Sequence, residues 1–91
     1  MRVLRIESDR TVTEHELDID DWMTKDISWD TVDIGGGHDA WVDDEGMFSP
    51  TTTFCTVAGR RVTLPAYVAG ADGERTVDAR ISVEELEALI G

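Results

Sequence analysis

Basic side chains are scarce in this chain: one lysine and seven arginines stand against twenty acids, for a net charge of −12. A surface so short of cations cannot neutralise a run of phosphates, and it is repelled by anionic lipid. Direct nucleic-acid binding and membrane-surface binding are therefore not expected. Cysteine is nearly missing as well. Cys55 stands alone, so no intramolecular disulfide can form, and a reducing cytoplasm is the expected compartment. The opening Met-Arg-Val-Leu-Arg-Ile-Glu lacks the long apolar core of a signal peptide. No apolar run reaches the roughly 20 residues that cross a bilayer. Linkers, repeats and low-complexity tracts are absent too.

What remains is sufficient for one core. Apolar residues make up 41% of 91 positions, enough for a single folded domain over residues 1–91 and too many for general disorder. The acids are unevenly placed. From Glu14 to Glu45 there are twelve of them against Lys25, a local charge of −11. Residues 47–91 hold six acids and four arginines, so that half is nearly balanced. Self-repulsion among the acids lowers stability at low ionic strength, and a dimer, a cation or a basic partner would each relieve it. The bias to arginine over lysine and aspartate over glutamate also fits a GC-rich genome or a high-salt cytoplasm.

Hydrophobic periodicity gives the element order. Val3, Leu4 and Ile6 read as a first strand, followed by turn chemistry at Ser8-Asp9-Arg10. Residues 12–19 then alternate, with Thr13, His15, Leu17 and Ile19 on one side and Glu14, Glu16, Asp18 and Asp20 on the other. A short helix is expected near residues 20–26, where early aspartates suit the positive end of the helix dipole. Ile27 to Ile34 favours strand, Gly35-Gly36-Gly37 a turn, Ala40-Trp41-Val42 the return strand, and Asp44-Glu45-Gly46 another turn. Residues 47–57 read either as strand through Phe54, Thr56 and Val57 or as a short helix begun among the threonines. After the Ala58-Gly59 turn, Val62–Leu64 and Ala66–Val68 read as one strand interrupted by Pro65, hence an edge or a bulge. A hairpin turn at residues 71–74 and a return strand over 76–81 follow. Ser82 with Glu85 forms a capping box, and Val83, Leu86, Leu89 and Ile90 recur at helical spacing. The expected fold is α+β, a mostly antiparallel sheet built from hairpins with the C-terminal helix on one face.

The sequence carries no recognisable catalytic or metal-binding pattern. An EF-hand frame begun at Asp18 puts Trp22 where a ligand is required, and one with Gly46 as its sixth residue begins at Trp41. Acids at 39, 43, 44 and 45 read as a solvated turn, with weak cation binding as the alternative. His15, His38 and Cys55 lack zinc spacing. Cys55, between Phe54 and Thr56, reads as a small buried hydrophobe, and His15 as a core residue rather than an acid–base group. The three glycines have no Gly-x-Gly-x-x-Gly spacing and are flanked by acids. No enzyme, metal or cofactor is expected.

One array carries a functional reading. Carboxylates at Glu14, Glu16, Asp18 and Asp20 are spaced roughly 6.6 Å apart along a strand, comparable to neighbouring phosphates on one nucleic-acid strand. Asp21, Asp26, Asp30 and Asp33 would extend the surface, and Trp22 would supply an aromatic anchor. The expected partner is a basic protein surface, docked by a nucleic-acid-like acidic face. The alternative is an amphipathic strand with a wet face, in a module that associates through apolar surface.

The chain also resembles a family of small phage and actinobacterial proteins of unknown function. The resemblance lies in Met1–Ile6, in Trp41-Val42-Asp43-Asp44-Glu45-Gly46, and in Gly59–Val62 running on to Leu64-Pro65-Ala66-Tyr67-Val68. It implies a phage or mobile-element origin, with a host-cytoplasm location, and no activity.

Overall fold

The computed structural model describes residues 2–16, 29–43, 51–70 and 80–91. The expected helix near residues 20–26, the strand residues 17–19, the turns at 44–46 and 71–74, and most of the strand over 76–81 lie outside them. Seven strands are described: β1 (Arg2–Ile6), β2 (Val12–Glu16), β3 (Trp29–Gly35), β4 (His38–Asp43), β5 (Thr53–Val57), β6 (Arg60–Leu64) and β7 (Ala66–Gly70). One helix, α1 (Val83–Leu89), follows. The protein is α+β, with five antiparallel strands in the order β2-β1-β7-β4-β3 and a separate β5-β6 hairpin.

Local chemistry sets the hairpins. Between β1 and β2, Asp9 Oδ1 accepts from Thr11 N–H at 3.0 Å and from Thr11 Oγ1 at 2.6 Å, and Arg10 takes a φ of 73°. These hydrogen bonds hold the Asp9 carboxyl below the usual carboxylate range. Between β3 and β4, Asp33 Oδ1 accepts from Gly35 N–H at 2.8 Å beside a register shift, and Gly36 and Gly37 make the turn at positive φ. Between β5 and β6, Ala58 and Gly59 have φ of 49° and 80°. Two left-handed residues in succession give the mirror-image turn whose twist matches the flanking strands.

Antiparallel partners share a face, so the register assigns every side chain. Leu4, Ile6, Val12, Val32, Ala40, Val42, Ala66 and Val68 fall on the inner face of the large sheet. Against that face pack Cys55, Val57, Val62 and Leu64 of the hairpin and Leu86 of α1. The hairpin covers β3 and β4, and the helix covers β2. On the outer face Val3, Tyr67 and Ala69 form a smaller buried cluster with Trp41 against it. Arg5 lies there too, its Nη1 donating to Tyr67 Oη at 2.6 Å and its guanidinium 5.2 Å from the ring centroid.

Three expectations change. Val62–Leu64 and Ala66–Val68 are not one strand, because Pro65, after a cis peptide, is the corner between the two sheets. Lacking an N–H, proline suits a corner that donates to no ladder. Beyond it β7 is the central strand, and Ala66 to Ala69 are buried on both faces. A continuous apolar run is the mark of such a strand. Arg80 and Ile81 are not strand; Ile81 is buried as the residue before the helix cap and joins the same cluster as Leu86 four residues past that cap. This is a hydrophobic staple. At the other end Ile90 has left the helix at φ −75°, ψ 123° and bridges Val57, while Leu89 is exposed. In the open alternative at residues 47–57, residues 53–57 are strand.

Candidate acidic interface

The strands distribute the candidate acids over two edges. Glu14 and Glu16 lie on β2, at one edge of the large sheet, and Asp30 and Asp33 on β3 at the other. Four strand spacings, about 19 Å, separate them. Glu14 and Glu16 therefore stay together, and Asp30 and Asp33 do not extend their array. Asp18, Asp20, Asp21, Trp22 and Asp26 lie outside the described residues.

Glu14 and Glu16 share the inner face with Leu4 and Arg2 rather than standing opposite the main core. Only Val12 of β2 reaches under the covering layer, and the two glutamates lie exposed at its rim. Arg2 Nε donates to Glu14 Oε1 at 2.5 Å, and this bond and the charge behind it lower the Glu14 pKa. His15 lies on the other face, opposite Val3, half-buried with its Nε2 2.8 Å from Thr13 Oγ1. It is near the small cluster rather than inside the main core. Asp30 Oδ1 accepts from Thr31 N–H at 2.9 Å, so this acid also has a local task.

Among the described residues, the closest acidic apposition joins Asp33 of the expected array to residues outside it. Asp33 on β3 is directly opposite Asp39 on β4, and Asp43 follows on the same outer face. Trp41 lies between Asp39 and Asp43 on that face, half-buried against the small cluster. Like charges directly opposite in a sheet are destabilising, by about 0.2–1 kcal/mol on the scale of cross-strand pairs. The alternation Asp39, Trp41, Asp43 was the available signal, hidden by the glycine turn that sets which acids meet.

Among the described residues no three His, Cys, Asp or Glu side chains converge to hold a metal. The Cys55 thiol is buried, and desolvation pushes its pKa up, with only partial relief from Arg10. No described helix is long and apolar enough to cross a membrane. No protein-family model, curated protein or solved structure matches the chain.

Proposed function

We propose that this is a non-enzymatic interaction protein that docks a basic protein surface through the outer face of β3 and β4. The observation that carries this reading is the apposition of Asp33 and Asp39, with Asp43 alongside and Trp41 between the β4 acids. Placing like charges together costs folding stability, and a basic partner returns that cost on binding. A half-buried tryptophan ringed by charge has the composition of an interface anchor and its rim. In its sharper form the acidic face imitates nucleic acid and occupies the groove of a DNA-handling or defence factor, in keeping with a phage origin.

The test is affinity capture from host lysate, washed at low and high salt, with the wild type and with Asp33→Asn/Asp39→Asn. The expected result is a basic protein held at low salt, released by salt or competing DNA, and lost with the double variant. The same variant should melt at a higher temperature than wild type. A partner retained equally by both proteins, or indifferent to salt, rejects the reading.

A further inference from the structure

The β5-β6 hairpin opposes the sign of the rest of the molecule. Residues 51–70 contain Arg60 and Arg61 and no acid, in a chain of net charge −12. With Cys55, Val57, Val62 and Leu64 turned inward, the register places Phe54, Thr56, Arg61 and Thr63 on an outer face. Phe54 is 44% exposed, and the Arg61 guanidinium lies 3.6 Å from its ring centroid. Neither Arg60 nor Arg61 has a carboxylate partner among the described residues. Stacking on a ring holds the guanidinium plane while leaving its N–H fork open, which suits it to a carboxylate.

Phe54 also lies on the edge of β5 that faces away from β6. Gly91 N–H donates to the Thr56 carbonyl at 2.7 Å, Ala58 N–H donates to the Leu89 carbonyl at 3.2 Å, and Val57 and Ile90 form an antiparallel bridge. Residues 89–91 thus lie along the outer edge of β5, faced by the main chain of Thr56 and Ala58. Main-chain groups alternate in direction along a strand, so the N–H and C=O of Phe54 point to that same edge. Among the described residues none pairs with them on that edge.

We propose that β5 accepts an extended acidic peptide segment of a partner protein. The segment adds along the edge of β5 that faces away from β6, bonds the Phe54 main chain, and sets a carboxylate on Arg61. Strand addition gives the affinity and the stacked arginine the preference for acid. The long-range field of the acids does not forbid this. The Debye length is about 8 Å at physiological ionic strength, and the molecule is 33 Å long, so the two arginines set the local sign.

The test is an NMR titration of the ¹⁵N-labelled full chain with the capped peptide Thr-Glu-Val-Glu-Thr-Glu at physiological salt. Saturable shifts are expected at the Phe54 amide and the Arg61 side chain. Arg61→Gln should weaken binding about tenfold, the scale of one charge-assisted hydrogen-bonded pair. Alternate N-methylation of the peptide should abolish binding, whereas acids distant from the hairpin should not shift. Equal binding by a lysine-for-glutamate peptide, equal binding by the N-methylated peptide, no effect of Arg61→Gln, or no saturable shifts would each overturn the proposal. Arg61 is exposed, and an unchanged spectrum away from the hairpin verifies the fold of the variant. Because Arg61 lies on the hairpin face turned away from the large sheet, and Asp33 and Asp39 on the face of that sheet turned away from the hairpin, this site and the acidic interface fail independently.

Discussion

Ala58 holds a backbone conformation that its own side chain disfavours. At φ 49° the Cβ crowds the following carbonyl, an effect of roughly 1–2 kcal/mol for a non-glycine residue. Glycine removes that crowding but adds about 0.5–1 kcal/mol of unfolded-state freedom. Ala58→Gly is therefore expected to stabilise by a net ~0.5–1 kcal/mol, read as a higher urea midpoint with an unchanged slope. A lower midpoint would show that the turn is not held in the left-handed region. In sequence the Ala58-Gly59 turn was plain from the glycine. That alanine takes the first left-handed position was not, because it follows from how β5 and β6 pair. The burial of Cys55 was readable at this scale, since a lone cysteine between strand-forming residues behaves as a small hydrophobe.

The C-terminal helix was the most legible element. Its start is encoded locally: Ser82 Oγ accepts from Glu85 N–H at 3.1 Å, and Ile81 and Leu86 flank the cap as a staple. Ser82→Ala is expected to cost about 1 kcal/mol, and Ser82→Asp to retain most of the stability because aspartate caps equally well. Equal thermal melts for wild type and Ser82→Ala would show that Leu86 burial alone holds the helix. The helix end was misread for a physical reason. Helical spacing grouped Leu89 and Ile90 with Leu86, but main-chain bonds from residues 89–91 to β5 draw the chain into an extended bridge after seven helical residues. A long-range pairing prevailed over a local pattern.

At the scale of the whole molecule, charge opposes folding. The −12 net charge self-repels, and its repulsion is screened within about 8 Å at physiological salt. Melting temperature should rise from low to high sodium chloride at pH 7, and less so near pH 4.5, where carboxylates begin to take up protons. Acid acts in the opposite sense on two residues. Asp9 and Glu14 have lowered folded-state values, so the stability they confer is present above the ordinary carboxylate value of about 4. That stability is lost as pH falls through their folded values. The expected profile gains stability as pH drops toward the carboxylate range and loses it below. A melting temperature insensitive to salt at pH 7 would remove self-repulsion as a factor in stability.

The sequence by itself determined the fold class, the turns at residues 8–10, 35–37 and 58–59, and the helix cap. Each of these is written in neighbours a few residues apart, through alternation, turn chemistry and capping. It also determined that the molecule is acidic. Only the tertiary structure decided which acids stand together. Strand order put Glu14 and Glu16 at one edge and Asp30 and Asp33 at the other, and the β3-β4 register set Asp33 against Asp39 beside Trp41. The Pro65 corner likewise split the one strand expected there, with its edge or bulge, and put Ala66–Gly70 at the centre of the large sheet. Alternation along a strand specifies which side chains share a face but not which strand lies beside it, and a surface is made of neighbouring strands.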